Sequence, residues 1–313
     1  MGAVLQTVVM PIALGVVMFG LGLGLTVGDF RRVARQPKAV LVALGCQLIL
    51  LPLIAFALVS AFQLPPVLAV GMMLIAASPG GTTANVFSHL FRGDIALNIS
   101  LTAINAITAV VTLPIVVNLS LAYFMPEGGQ IGLQIDKTIE VFLIVLGPVA
   151  VGMTVRRLWP RFALAMDRPV RIASVVILVA VMVGSIISNS AILLANLGSL
   201  AGIAVLLCLL SLLVGFFVPR LFRIDRPQAV ASSFEIGIHN ATLAIVIAQS
   251  VLGNVVMSLP PAVYGALSLI TAFLFGVIVH GRYALRAKAG LTVTAPATTE
   301  PLPPPTPTGD TRA

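Results

Sequence analysis

The stretch FEIGIHNATLAIVIAQ, Phe234 to Gln249, places a carboxylate, an imidazole and an amide inside an apolar segment of membrane length. A charge at the centre of a bilayer costs about 2.5 to 3.5 kcal/mol, so an ionisable residue there usually faces a cavity and serves an ion or a substrate. Of the ten acidic residues, Glu235 alone is placed well inside such a segment. It is therefore the first candidate functional residue of the chain.

A second interruption, SPGGTTAN at Ser78 to Asn85, divides another apolar segment much earlier in the chain. Pro79 lacks an N–H and Gly80 and Gly81 relax the backbone, so a helix is expected to unwind here. Within a bilayer, unwound backbone is tolerated only where protein, water or a ligand satisfies it. Two broken segments in corresponding places of two halves indicate the binding site of a transporter.

The composition excludes a soluble globular domain. Of 313 residues, 59% are hydrophobic and 9% are charged, with a mean hydropathy of +1.11, whereas ordinary domains carry roughly a quarter charged residues. The net charge of +8 is spread over short loops, so no nucleic-acid partner is expected. Cys46 and Cys208 lie in separate apolar segments without metal-ligand spacing and are interpreted as small core residues.

Apolar runs of about 20 residues can cross a bilayer as helices, and nine runs predict an all-α polytopic membrane protein. Basic residues follow the odd-numbered spans, which predicts an outside N-terminus and a cytoplasmic C-terminus. Residues 1–288 are expected to form the transmembrane part, and residues 289–313, rich in Thr and Pro, a disordered cytoplasmic tail. The predicted spans are Val4 to Leu25, Val40 to Phe62, Val67 to Phe91, Ile95 to Phe124, Ile139 to Val155, Ile172 to Ile187, Leu200 to Val218, Ala229 to Leu252 and Val263 to His280.

A broken helix followed by a long helix occurs twice, at spans three and four and again five spans later, from opposite sides. This order predicts an inverted repeat of five plus five helices that lacks its first helix. Glu235 would supply the negative charge for a cation held by oxygen ligands, and Asn98 and Thr102 share one helix face. The same two residues could instead be hydrogen-bonding residues between helices. The positive end of the half-helix that begins near Thr82 would favour an anion.

At these residues the chain strongly resembles the bile acid/sodium symporter family, particularly its bacterial members, from about Val8 to Ala287. The resemblance implies a core domain of spans two to four and seven to nine, in which both broken helices cross, and a panel domain of spans one, five and six. The specific motifs are SPGGTTAN at Ser78 to Asn85, RGDIALNISLT at Arg92 to Thr102 and EIGIHNA at Glu235 to Ala241.

By motif position, the resemblance also implies two sodium sites behind the crossing and a substrate site in front of it. No cofactor is expected besides sodium as the coupling ion. Ala84 replaces a hydroxyl residue, and His239 stands where a glutamine is familiar, which predicts a weak or pH-sensitive second site. The first sodium site would use Ala84, Asn85, Asn98, Thr102 and Glu235, the second Gln47, Glu235, Ile236, Ile238 and His239, and the substrate site Thr82, Thr83 and Asn240.

We therefore expect a symporter of the bacterial inner membrane that couples inward sodium movement to uptake of a small organic anion by alternating access. Two sodium ions and one carboxylate leave one positive charge, which a monoanionic substrate would neutralise. Both bile acid-like molecules and small carboxylates such as pantoate fit, although the last span lacks a His-Asn pair found in some bile-acid-binding bacterial relatives. The alternatives are a proton-coupled exchanger or efflux carrier that uses Glu235 and His239, and a non-transporting receptor. An enzyme is not expected, because no nucleophile and base pair lies at membrane depth.

Overall fold

A computed structural model describes residues 10–24, 26, 28, 36–126, 135–188 and 190–288. The chain divides into a compact unit, Met1–Val277, and a short C-terminal unit, Ile278–Ala313. Nearly all described residues are helical, and within these ranges no β-strand longer than an isolated bridge is formed. This confirms the prediction of a helical protein. The predicted disordered tail and the start of the first predicted span lie outside the described residues.

The helices follow one another along the chain with short connections. Two of them contain a π-helical turn, at Cys46–Leu50 and at Ile247–Val251. In order, the helices are α1 (Met10–Gly24), α2 (Pro37–Ala61), α3 (Pro66–Ala77), α4 (Thr82–Leu90), α5 (Ile95–Phe124), α6 (Ile135–Leu158), α7 (Pro160–Ser188), α8 (Ser190–Leu221), α9 (Arg226–Gly237), α10 (Ala241–Val251) and α11 (Leu259–Lys288).

Within the described residues, three helices are long and apolar enough to cross a membrane: Pro37–Ala61, Ser190–Leu221 and Val256–Val279. The helix α5 adds a fourth if its halves, Ile95–Ala109 and Val111–Phe124, form one span, since they are bent by 53° to each other. Pro114 lies one turn after the bend and has no N–H to donate to the preceding turn. The two spans predicted to be broken are indeed divided into shorter helices, α3 with α4 and α9 with α10. The multi-pass helical architecture is confirmed, while the count of nine spans stays a prediction.

The helices of the large unit pack in two groups. The helix α1 packs on α6 and α7, which also contact each other. In the other group, α8 lies along α9 and α3 along α5, while α4 contacts both α5 and α9. Close approach depends on glycine: a Cβ at Gly22 would meet the backbone of Val149, and one at Gly215 would meet that of Ser233. The assignment of spans to a core and a panel domain stays a prediction.

The turns before the two broken segments have the same hydrogen bonds. At the end of α2, Gln63 adopts a positive φ of 50° and the N–H of Leu64 donates to the Val59 carbonyl. At the end of α8, Arg223 has a φ of 60° and the N–H of Ile224 donates to the Pro219 carbonyl. Both are helix-ending turns with a residue in the left-handed region. The same turn also ends α4, where Arg92 has a φ of 58° and the N–H of Gly93 donates to the Ser88 carbonyl. The inverted repeat therefore stays a prediction.

Candidate cation and substrate site

The first break is produced locally by Ser78 and Pro79. The N–H of Ser78 donates to the Ile75 carbonyl at 3.0 Å instead of continuing the α-helical pattern. Its hydroxyl donates to the Leu74 carbonyl at 2.9 Å, which replaces the backbone donor that the carbonyl has lost. Pro79 has no N–H to offer, so α3 ends and a new helix begins at Thr82. The sequence therefore specifies this break by itself.

The second break lies between Gly237 and Ala241, where α9 ends and α10 begins. Asn240 caps the new helix, because its Oδ1 accepts a hydrogen bond from the N–H of Leu243 at 3.1 Å. Its own N–H does not reach back to the Ile236 carbonyl, since it donates to the Pro79 carbonyl at 2.9 Å. The helix therefore stops because its next backbone donor has a partner in the other break.

The two breaks pair with each other. Gly80 and His239 form an isolated antiparallel bridge. Besides the bond from Asn240 to Pro79, the N–H of Gly81 donates to the Ile238 carbonyl at 3.2 Å. Each unwound segment thus supplies hydrogen-bond partners for backbone groups of the other, which the bilayer interior requires. The structure brings the two sequence interruptions to a single crossing.

Carbonyl groups released by the breaks are satisfied by side chains from other helices. The Ser78 carbonyl accepts from Gln47 Nε2 at 3.1 Å and lies 2.9 Å from His239 Nδ1. The Gly237 carbonyl accepts from the Tyr264 hydroxyl at 2.9 Å, and Cys208 Sγ lies 3.4 Å away. Buried carbonyls with such partners avoid the cost of an unmade hydrogen bond. These contacts connect α2, α8 and α11 to the crossing.

Glu235 lies at the centre of this arrangement and has no exposed surface. Its Oε2 accepts from the Thr102 hydroxyl at 2.6 Å, and its Oε1 accepts from Asn105 Nδ2 at 3.0 Å. The carboxylate lies directly against Gly80, where any Cβ would overlap it. Both described side-chain donors are neutral, so they orient the carboxylate without neutralising a negative charge.

Several buried polar atoms in and around the crossing have no hydrogen-bond partner. All but one are acceptors: an imidazole nitrogen or an amide oxygen. Because His239 uses Nδ1 as donor to a carbonyl, its Nε2 carries a lone pair in the neutral ring. A carboxylate with surplus amide oxygens is the donor set that a hard cation prefers, so the residues present fit a sodium ion. The unpartnered atoms here are Gln47 Oε1, Asn85 Oδ1, Asn98 Oδ1 and Nδ2, Asn105 Oδ1 and His239 Nε2.

The residues predicted for the two sodium sites are brought together in part. Glu235 and Thr102 are in direct contact, and Gln47 and His239 share the Ser78 carbonyl. Asn98 lies one turn before Thr102, whose hydroxyl is 3.0 Å from the Asn98 carbonyl. Three further residues offer only backbone oxygens and are buried: Ala84, Ile236 and Ile238. Their roles as ligands stay predictions.

The residues predicted to face an anion are the more accessible ones. Thr82 and Thr83 are exposed at the start of α4, which has no side-chain cap. Asn240 is partly exposed, and because its oxygen caps α10, its amide NH₂ is the group left for a ligand. An uncapped helix start and an amide donor are both suited to an anion. Substrate binding at these residues also stays a prediction.

Sequence reasoning missed Asn105 and Tyr264. Asn105 could have been found, because it follows Asn98 and Thr102 at the i+7 position on the same helix face. No sequence pattern marked Tyr264, because in the sequence it is only an aromatic residue in an apolar helix. Its role becomes visible in the structure, where its hydroxyl donates to the Gly237 carbonyl. Cys208, predicted to be a core residue, is fully buried, and its Sγ lies against the same Gly237 carbonyl.

Apolar helices of membrane length and two paired breaks around a buried carboxylate define a multi-pass membrane transporter. Residues 11–197 match the Sodium Bile acid symporter family. The chain belongs to this family, as its motifs predicted.

Relatives named as sodium-dependent transporters cover most of the chain. The uncharacterized sodium-dependent transporter YocS of Bacillus subtilis is 29% identical over 239 residues, which are 76% of this chain and 73% of that protein. The ileal sodium/bile acid cotransporter of Homo sapiens is 27% identical over 278 residues, 87% of this chain and 79% of that protein. A rice protein named probable sodium/metabolite cotransporter BASS2, chloroplastic, is 29% identical over 265 residues, which are 83% of this chain but only 61% of the rice protein.

Proposed function

We propose that the protein is a symporter that imports a small organic anion together with sodium by alternating access. The observation that carries the proposal is the fully buried Glu235 carboxylate, held by neutral donors at the point where the two broken helices pair. A buried carboxylate is costly unless a positive charge accompanies it. Sodium binding would supply that charge and tighten the crossing.

Sodium would be held by oxygens that have no partner within the protein. The predicted first site combines Glu235 and Thr102 with Asn85 and Asn98, both of which have unpartnered amide oxygens. The predicted second site combines Glu235 with Gln47 and His239, which have one unpartnered acceptor each. Hard cations prefer such oxygen ligands, and the carboxylate shared by both sites couples their occupancy.

The anion would bind in front of the crossing, at the exposed start of α4 and at Asn240. Thr82 and Thr83 offer hydroxyl groups and first-turn N–H groups, and the helix dipole adds a partial positive charge. Because the backbone of Asn240 is hydrogen-bonded to Pro79, sodium that orders the crossing also orders this donor. Bile acid-like anions and small carboxylates such as pantoate remain the proposed substrate classes.

Alternating access would require one group of helices to move against the other. The group around α1, α6 and α7 corresponds to the proposed panel domain, and the group that contains both breaks to the proposed core. Localisation in a bacterial inner membrane, with an outside N-terminus and a cytoplasmic C-terminus, completes the proposal.

The first experiment replaces Glu235 by Gln, which keeps the shape but removes the charge. Sodium-driven uptake of radiolabelled pantoate or taurocholate into proteoliposomes is expected to fall to background. The purified wild type should be stabilised by sodium over potassium by about 2.7 kcal/mol for each bound ion at a sodium concentration 100 times the Kd of its site, and the variant should lose this difference.

The control is Asp94→Asn, another exchange of a carboxylate for an amide. Asp94 caps α5 by accepting from the N–H of Leu97 at 2.9 Å, a role that Asn performs equally well. This variant should keep both uptake and sodium stabilisation. Uptake by Glu235→Gln at the wild-type rate would refute the proposal, and uptake that follows a pH gradient instead of a sodium gradient would indicate proton-coupled exchange.

A further inference from the structure

Asn105 lies on the face of α5 that carries Asn98 and Thr102, and its side chain is 3% exposed. The spacing of these residues, i, i+4 and i+7, is that of one helical stripe. Thr102 reaches one oxygen of Glu235 and Asn105 reaches the other. Two consecutive turns of α5 therefore hold both oxygens of the buried carboxylate.

The orientation of the Asn105 amide follows from this contact. Its Nδ2 donates to Glu235 Oε1 at 3.0 Å, whereas a flipped amide would bring two acceptor oxygens together. The amide oxygen must therefore point away from the carboxylate. In that direction Oδ1 is buried and has no partner. A buried acceptor without a donor is unfavourable unless a ligand or water completes it.

The chemistry of the free atom favours a cation. Oδ1 is an acceptor and belongs to an amide that touches a carboxylate, so an anion would be repelled there. A cation gains both a neutral oxygen ligand and the nearby negative charge of Glu235. Because the same amide contacts the carboxylate and offers the oxygen, binding of a cation would also fix the carboxylate more firmly.

The position along α5 separates this oxygen from the predicted first sodium site. Asn98 and Asn105 are seven residues apart, which is about 10 Å along a helix axis. Oxygen ligands of one hard cation lie roughly 2.3 to 2.6 Å from it. Two side chains that project in the same direction from such distant positions do not meet on one ion. The separation therefore favours an ion other than the one at Asn98 as the partner of the Asn105 oxygen.

We propose that Asn105 belongs to the second cation site, where its Nδ2 positions Glu235 and its Oδ1 is an additional ligand. This inference rests on the proposed sodium coupling. The amide oxygen of Asn105 would also compensate for His239, whose imidazole is a poorer sodium ligand than an amide oxygen. The other unpartnered acceptors assigned to this site are Gln47 Oε1 and His239 Nε2.

The test measures thermal stability of purified protein in detergent while sodium replaces potassium at constant ionic strength. Each bound ion contributes to the rise in stability with the logarithm of sodium concentration. The sodium midpoint is the concentration at which the slope of this rise lies midway between the values for one and for two bound ions. For Asn105→Leu this midpoint should rise about 10- to 100-fold. Over the range where the wild type binds two ions, the slope of the variant should be half as steep.

The matched control is Gln249→Leu, which also replaces a buried amide by an apolar residue of similar size. Gln249 is 4% exposed, and its Nε2 donates to the Ser258 hydroxyl at 2.9 Å outside the crossing. This variant should lose stability equally in both salts and keep the wild-type sodium midpoint. Asn105→Ala provides a second, smaller variant without a side-chain oxygen if leucine prevents folding, and it should raise the sodium midpoint as well.

The outcomes are distinguishable. If Asn105→Leu and Asn105→Ala keep the wild-type midpoint and slope, Asn105 is only structural or binds water, and the inference is wrong while sodium coupling stands. If the wild type itself does not distinguish sodium from potassium, both the inference and the proposed function are wrong. A raised midpoint with a halved slope supports the inference, because a structural defect alone would shift stability in both salts.

Discussion

At the scale of single residues, the central feature is an ionisable group in a buried position, where a charge has a high free-energy cost. Glu235 is fully buried, and its described side-chain partners are one hydroxyl and one amide, so its environment is polar but not basic. Such a group is well suited to a mobile positive charge, because no fixed cation among these partners competes for it. The protein would then be most stable when the coupling ion is bound.

Thr102→Val tests how strongly the carboxylate depends on its hydroxyl donor. The variant keeps the shape of the side chain but removes a 2.6 Å hydrogen bond to a charged group. We expect a loss of about 1.5 to 3 kcal/mol in unfolding free energy and weaker sodium stabilisation, measured by thermal unfolding in sodium and in potassium. Thr102→Ser should restore most of both. Equal behaviour of the Val and Ser variants would contradict a role for the hydroxyl.

At the scale of secondary-structure elements, the crossing depends on close backbone approach. Gly80 has no side chain, and the Glu235 carboxylate occupies the position that a Cβ would need. Gly80 forms the bridge with His239. This one glycine therefore both pairs the two breaks and leaves room for the Glu235 carboxylate.

Gly80→Ala is therefore expected to displace the carboxylate and abolish sodium-dependent uptake while the rest of the fold remains. The control is Gly198→Ala in α8, where a Cβ meets nothing within 4 Å. That change should leave uptake intact and stabilise the helix by roughly 0.5 to 1 kcal/mol. Normal sodium-dependent uptake by Gly80→Ala would show that the observed geometry around Glu235 is not needed for transport.

The end of α9 makes a second prediction at this scale. The Gly237 carbonyl accepts from the hydroxyl of Tyr264, which is fully buried. Tyr264→Phe leaves that carbonyl with the weak donor Cys208 and should cost about 1 to 3 kcal/mol. Tyr123→Phe changes an aromatic residue that is 64% exposed and should have almost no effect on the melting temperature. Similar melting temperatures for the two variants would mean that the tyrosine hydroxyl does not support the break.

At the scale of the whole molecule, the proposed stoichiometry makes transport electrogenic. Two sodium ions and one monoanion move one net positive charge, which gains about 2.3 kcal/mol per 100 mV. At 1.4 kcal/mol per factor of ten, an inside-negative potential of 100 mV should raise accumulation of the anion roughly 40-fold. The measurement is pantoate or taurocholate accumulation in proteoliposomes with and without a potassium diffusion potential. If accumulation of the anion does not change with the membrane potential, transport is electroneutral and the proposed stoichiometry is wrong.

Hydropathy and local breakers determined much of the architecture from the sequence alone. Long apolar runs require helices in a membrane, and Pro79 with two glycines ends α3 whatever surrounds it. The high cost of a buried charge singled out Glu235 before any contact was known. The helical period placed Asn98 and Thr102 on one face, and the same period would have included Asn105.

Only the tertiary structure decided which groups meet. The contact between Ser78 and His239 joins residues 161 positions apart, and that between Thr102 and Glu235 joins residues 133 apart. Periodicity indicates the face that a residue occupies, but the partner on the facing helix depends on packing of the whole unit. For the same reason, the carbonyl that Tyr264 satisfies and the unpartnered oxygen of Asn105 could not be predicted. They follow from the way long-range packing distributes hydrogen-bond donors around two broken helices.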